Sequence, residues 1–178
     1  KILVSANTSP LAGREGKFCT ARQIYQRLLK EKQTNIGLSI SENPDGTGFV
    51  VAGRGELHLA VLLENLRREG YEMQVGKPEV IYKDIDGVKS EPFEELTIEI
   101  GSNYVGVISE ELGRRKAELV DTHTNDRGTT KMVYKVSSRN LLGFRGDILT
   151  KTRGNGIFAT LFIGYFPISP HIPKLRNG

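Results

Sequence analysis

The 178-residue chain has no tryptophan, two methionines, three histidines and a single cysteine. One thiol cannot close an internal disulfide, so the fold must rest on its core, and a reducing compartment fits the composition. His58, His123 and His171 stand far apart, so no metal-ligand spacing forms. No serine or cysteine near them has the setting of an activated nucleophile. No apolar run approaches the roughly 18 residues of a membrane span. The opening Lys1-Ile2-Leu3-Val4-Ser5-Ala6-Asn7 turns polar too soon for a signal peptide. It also lacks an initiator methionine and begins inside an apolar run, which predicts a start within a strand of a longer protein.

Phosphate-binding loops are missing too. Gly53-Arg54-Gly55 has the first half of a dinucleotide fingerprint, with Glu72 near the distance of a ribose-binding acid, but His58 occupies the third glycine position. It reads as a tight turn between strand and helix. Gly13-Arg14-Glu15-Gly16-Lys17-Phe18 has two residues between its glycines where a Walker loop needs four, and Phe18 replaces the hydroxyl that would hold Mg²⁺. An exposed loop is expected there, with Arg14 and Lys17 as candidates for a phosphate or RNA contact. Asn103-Tyr104-Val105-Gly106-Val107 is similar to an acylphosphatase loop, but Ser109 and Glu110 follow where an arginine is needed. Phe49 lacks the companion aromatics of a base-stacking sheet and is expected in the core.

Hydrophobic residues make up 38% of the chain and charged residues 26%, the balance of an ordinary globular protein. The net charge of +4 is too small to identify a partner, yet it is unevenly spread. Residues 83–126 hold 5 Lys+Arg against 11 Asp+Glu, a balance of −6, whereas residues 127–178 hold 9 against Asp147 alone, a balance of +8. A basic block of that kind attracts polyanions. Arg139, Arg145, Lys151 and Arg153 cluster around one short helix and are the leading candidates for contacts to RNA phosphates. Arg114-Arg115-Lys116 is expected only to complement the end of a helix.

Periodicity gives an order of elements. A strand at 2–5 precedes a helix opened by a Thr20/Gln23 capping box, with Ala21, Ile24, Tyr25, Leu28 and Leu29 on one face. A strand at 35–41 with Ile36, Leu38 and Ile40 inward pairs through Asn43-Pro44-Asp45-Gly46 with 49–52. A helix carrying Leu59, Leu62, Leu63 and Leu66 follows, then a strand at 71–75. Prolines and Asp86-Gly87 mark a linker, after which the order repeats. A strand at 93–100 leads to a helix with Val105, Ile108 and Leu112. Strands at 118–123 and 130–136 precede one helix with Leu141, Phe144, Ile148 and Leu149, and a last strand covers 157–165. The expected fold is α+β: two tandem ferredoxin-like modules at 1–80 and 92–166, a linker at 81–91, and an exit segment at 167–178 containing Pro170-His171-Ile172-Pro173.

Two groups of three motifs carry a resemblance. Asn7-Thr8-Ser9-Pro10-Leu11-Ala12-Gly13-Arg14-Glu15-Gly16-Lys17-Phe18, Gly53-Arg54-Gly55-Glu56-Leu57-His58-Leu59 and Arg67-Arg68-Glu69-Gly70-Tyr71-Glu72 resemble the third domain of BipA/TypA GTPases. Glu110-Glu111-Leu112-Gly113-Arg114-Arg115-Lys116, Ser138-Arg139-Asn140-Leu141-Leu142-Gly143-Phe144-Arg145 and Thr152-Arg153-Gly154-Asn155-Gly156 are similar to the fifth, elongation-factor-G-like domain of that family. The direct join through 84–92 also resembles LepA, but Ala12-Gly13-Arg14-Glu15-Gly16-Lys17-Phe18 favours BipA/TypA. Residues from Gly164 onward depart from the family pattern.

The resemblance implies a non-catalytic, ribosome-binding part of a cytoplasmic or plastid translational GTPase acting in stress adaptation and large-subunit assembly. Its implied partners are ribosomal RNA and the protein's own G domain and C-terminal domain, with no membrane, and the fragment itself is expected to be monomeric. GTP and Mg²⁺ would belong to the G domain, and no cofactor is expected here. The alternatives are a stand-alone RNA-binding protein of two ferredoxin-like modules, a LepA-like fragment and, third, an acyl phosphatase. Since no segment combines a backbone cradle, a phosphate lysine and a Mg²⁺ hydroxyl, the chain is expected neither to bind nor to hydrolyse GTP. Calorimetry with GTP and Mg²⁺ checks this, and saturable micromolar binding would overturn it.

Overall fold

The computed structural model describes residues 1–168; the exit segment from 169 onward, with Pro170 and His171, lies outside them. The chain divides after Glu79 into two compact units. The first runs β1 (Ile2–Ala6), α1 (Ala21–Thr34), β2 (Ser39–Glu42), β3 (Phe49–Ala52), α2 (Glu56–Arg68) and β4 (Met73–Val75). Its antiparallel sheet has the order β2-β3-β1-β4, which is the ferredoxin-like arrangement. Strand alternation puts Ile2, Val4, Phe49 and Val51 on the inner face, where Ile24 and Leu28 of α1 and Leu59, Leu62 and Leu66 of α2 cover them. The Thr20 cap forms as its sequence predicts: the hydroxyl accepts from Gln23 N, and Gln23 Oε1 accepts from Thr20 N.

The second unit contains β5 (Lys83–Ile85), β6 (Val88–Gly101), a single 3₁₀ turn (Ser102–Tyr104), α3 (Val105–Arg114), β7 (Glu118–Thr124), β8 (Thr129–Ser137), α4 (Ser138–Leu141), α5 (Phe144–Lys151) and β9 (Ile157–Pro167). β6 pairs antiparallel with β8 and also with β9, while β7 lies beyond β8. Leu96, Ile98 and Ile100 of β6 and Met132, Tyr134 and Val136 of β8 meet Ile108 and Leu112 of α3 and Phe144 and Ile148 of α5. The same split βαβ order therefore builds both units.

Four local expectations are corrected. Asn35 caps α1 and its carbonyl accepts from Leu38 N at 3.1 Å, so the chain is still turning at 35–38. β2 starts only at Ser39, and Ile36 is 97% exposed. Tyr71 belongs to no strand and forms an isolated parallel bridge with Phe18. The stretch 81–91 is no free linker, because β5 and the start of β6 form a hairpin through Asp86-Gly87. Finally, the last helix is two. Gly143 has φ 74, a left-handed conformation that glycine adopts without strain, and it separates α4 from α5 and leaves Leu149 at the surface.

Leu66 is fully buried between sheet and helix, whereas Leu57 on the same helix is 61% exposed. Leu66→Ala is expected to cost about 2–5 kcal/mol of stability by transfer loss and cavity formation. Leu57→Ala should stay within about 0.5 kcal/mol. Urea titration of both variants checks the assignment of this face.

Candidate nucleic-acid interface

The sequence singles out six cations, and the structure places them in three different situations. Arg14 and Lys17 lie in the first unit, on the loop between β1 and α1. That loop is stitched to the end of α2: Lys17 N and Phe18 N donate to Gly70 O at 2.9 and 3.1 Å, and Glu72 N donates to Phe18 O at 3.0 Å. Both side chains are exposed and make no ion pair or side-chain hydrogen bond among the described residues.

Arg139 and Lys151 are engaged inside the second unit. Arg139 on α4 grips Glu91 with two parallel bonds, Nε to Oε2 at 2.8 Å and Nη2 to Oε1 at 3.0 Å. Glu91 is only 3% exposed, and its carboxylate raises the pKa of the guanidinium. Lys151 at the end of α5 donates to Glu111 of α3. Glu111 also accepts from Arg115 Nε at 2.9 Å, and Arg115 reaches Asp147 Oδ2 at 2.6 Å. The other end of the guanidinium donates to the carbonyls of Asn140 and Leu142 at 2.7 and 3.0 Å, and its face lies over Phe144. Arg115 thus ties α3 to the break between α4 and α5, far more than the helix-end role its position predicts.

Arg145 and Arg153 remain. Both are exposed, with no polar partner among the described residues. Arg153 holds φ 54, in the left-handed region. It ends α5 in a Schellman turn: Arg153 N donates to Thr150 O at 3.3 Å and Gly154 N to Leu149 O at 2.8 Å. α2 ends in the same turn with Gly70 at that position, φ 91, and its bonds run from Gly70 N to Arg67 O and from Tyr71 N to Leu66 O. α3 likewise uses Lys116, φ 57.

A left-handed conformation costs a non-glycine residue about 1–2 kcal/mol. A cation at a helix C-terminus recovers about 0.3–1 kcal/mol from the dipole. The dipole does not close that gap, and α5 already has Lys151 in its last turn. Arg153 therefore carries a steric cost at this turn that Gly70 does not carry at the end of α2.

Other sequence candidates resolve into structure. His58 accepts Arg54 N at Nδ1 and contacts Asn35 through Nε2, so it secures the Gly53-Arg54-Gly55 turn. Phe49 is buried and stacks on Tyr25. Sequence reasoning missed Glu91, Glu111 and Arg115. The four-residue spacing of Glu111 and Arg115 was a visible signal, but the partners Lys151 and Asp147 lie 40 and 32 residues away and leave no local trace.

Comparison with known proteins follows the same line. Residues 88–176 match the family described as elongation factor G C-terminus. The large ribosomal subunit assembly factor BipA of Haemophilus influenzae is 48% identical over 173 residues, covering 97% of this chain and 28% of that protein. The protein of the same name from a Synechocystis species is 45% identical over 178 residues, covering 100% and 30%, and that of Bacillus subtilis is 47% identical over 162 residues, covering 91% and 26%. The chain thus spans less than a third of these relatives. A crystal structure of a Thermus thermophilus protein, 13% identical, shares the fold with a TM-score of 0.59 over 96% of this chain and 41% of that one.

The Glu111 network yields a pH dependence. Hydrogen bonds from Lys151 and Arg115 hold the Glu111 carboxyl down at about 2, from an ordinary 4.5. A depressed carboxyl stabilises the fold above its unfolded value, and that contribution fades as pH falls from about 4.5 towards about 2. The stability difference between the natural chain and Glu111→Gln should be largest near pH 7 and shrink towards pH 2–3 in denaturant titrations. A difference independent of pH would assign Glu111 a packing role only.

Proposed function

Because the chain belongs to the elongation factor G C-terminus family and, among translational GTPases, to the BipA family, we propose that it is the part of such a factor that docks on ribosomal RNA. In this reading the two units catalyse nothing. They present fixed cations to RNA phosphates during large-subunit assembly, while GTP and Mg²⁺ are handled by a G domain in the remainder of the longer protein. The site of action is the cytoplasm, or the plastid stroma in a plant or alga.

The observation that carries the reading is Arg153, an exposed arginine held left-handed where α2 uses Gly70. Positions strained against stability concentrate where a side chain is needed for function. Arg145, the second residue of α5 and likewise unpartnered among the described residues, supplies a second charge. Arg139 and Lys151 contribute less to RNA contact, since turning outward would leave buried Glu91 without its cation and Glu111 with Arg115 alone. Arg14 and Lys17 supply the contact of the first unit.

The test separates binding from folding. Arg153→Gly removes the charge and relieves the strained turn, but the left-handed cost is offset by the entropic cost of glycine and the lost dipole contact, so stability should change by no more than about 1 kcal/mol. Affinity for protein-free large-subunit ribosomal RNA should nevertheless fall, and fall further with Arg145→Glu. The slope of log affinity against log salt should drop by about 0.7–0.9 for each lost phosphate contact. Charge reversal at Lys32 and Lys77, exposed cations of the first unit that are not among the candidates, is the control and should change affinity much less. An equal loss from the control would reduce the interaction to net-charge attraction. Unchanged RNA affinity in the Arg145/Arg153 variant would overturn the assignment of this patch.

A further inference from the structure

Glu72 follows the end of α2, and its carboxylate is filled by a loop that lies 56–65 residues earlier in the chain. Oε1 accepts from Asn7 Nδ2 at 2.7 Å and from Gly13 N at 2.9 Å, and Oε2 accepts from Glu15 N at 3.2 Å and Gly16 N at 3.0 Å. Asn7 Oδ1 in turn accepts from Ser9 N at 3.0 Å and Gln74 Nε2 at 3.3 Å. The donors to the carboxylate are all neutral amides, and they hold its pKa below the usual glutamate value. Hydrogen bonds to an ionised acceptor are about twice as strong as neutral ones. The approach is close: a Cβ at Gly16 would sit 2.6 Å from Glu72 Cβ and 2.9 Å from Gly70 O, so only glycine fits.

The consequence falls on two cations. Arg14 stands between two residues whose amides are fixed by Glu72, and Lys17 has its own amide fixed to Gly70 O. Their backbones are locked while both side chains stand in solvent. A cation on a preformed loop gives up less conformational entropy when it meets a phosphate than one on a mobile loop. Net charge does not explain the arrangement, because Arg14 and Lys17 are balanced by Glu15 and Glu72.

We propose that Glu72 is a positioning residue, whose carboxylate pre-organises the loop at 7–17 so that Arg14 and Lys17 engage RNA phosphates as a fixed pair. This rests on the RNA-binding reading above. It makes a prediction opposite in sign to bulk electrostatics: Glu72→Gln removes a negative charge, which alone would tighten RNA binding, yet a loosened loop weakens it.

The test uses the 178-residue chain with protein-free large-subunit ribosomal RNA. Glu72→Gln is expected to raise hydrogen exchange at the amides of residues 13, 15 and 16 and to weaken RNA affinity about fivefold or more, the lower range of coupling between two parts of a protein. In a chain already carrying Arg14→Ala and Lys17→Ala, the same substitution should change affinity no further. Asn7→Ala, which removes one donor and frees Ser9 N, should act in the same direction and less strongly. Equal or tighter RNA binding by Glu72→Gln overturns the inference, as does an undiminished effect in the chain without Arg14 and Lys17. If the natural chain itself has no affinity for the RNA, the functional reading falls and the inference falls with it. If it binds and only Glu72→Gln behaves otherwise than expected, the functional reading stands alone.

Discussion

A carboxylate taken from water must be met by donors or by positive charge, and that demand organises both units of this chain. Glu91 and Glu111 are nearly closed off from solvent and recruit Arg139, Arg115 and Lys151. Glu72, half-buried, recruits backbone amides instead and leaves its neighbouring cations free. The choice of partner decides what is left outside. Where a guanidinium or ammonium answers the carboxylate, the charge of the cation is engaged within the unit even though Arg139 and Lys151 stay at the surface. Where amides answer it, Arg14 and Lys17 remain available.

The uneven charge of the sequence looks different in this light. An acidic block at 83–126 followed by a basic block at 127–178 reads as a field aimed outward. In the folded second unit the blocks meet: Arg139 closes on Glu91, Lys151 on Glu111, and Asp147 of the basic block on Arg115 of the acidic one. Part of the asymmetry is therefore an internal pairing code that crosses the sheet and the helices. What it leaves uncompensated is narrower than the block, and Arg145 and Arg153 belong to that remainder.

Legibility followed range. The Thr20 cap, the inward alternation of Ile2 and Val4 or Leu96 and Ile98, and the Asn43-Pro44-Asp45-Gly46 turn are fixed by residues within a few positions of one another, and all were readable. The ferredoxin-like order followed from them. Errors arose where a turn interrupted a good pattern: Ile36 continues the alternation of Leu38 and Ile40, but the Asn35 cap keeps it out of β2. Leu149 continues the helical period, but Gly143 resets the axis. The last strand was read at 157–165 and forms as β9, which among the described strands pairs with β6 and leaves Leu161 and Phe162 more than half exposed. Of the candidate site, the cations were visible and their partners were not, because Glu91 stands 48 residues from Arg139 with no spacing rule to join them.

Three helices end in one kind of turn, and they show what the second unit gives up. α2 places Gly70 at the left-handed position, the residue for which that conformation is free of steric cost. α3 and α5 place Lys116 and Arg153 there, each at a steric cost of about 1–2 kcal/mol before the entropic cost of glycine is set against it. Marginal folds lose sites that carry such a cost without return, since about 1 kcal/mol is a sizeable part of a stability of about 5–15 kcal/mol. Lys116 is not without an interaction of its own. Arg153 has no polar partner among the described residues, and that difference is why the proposed RNA contact is assigned to Arg153 rather than to Lys116.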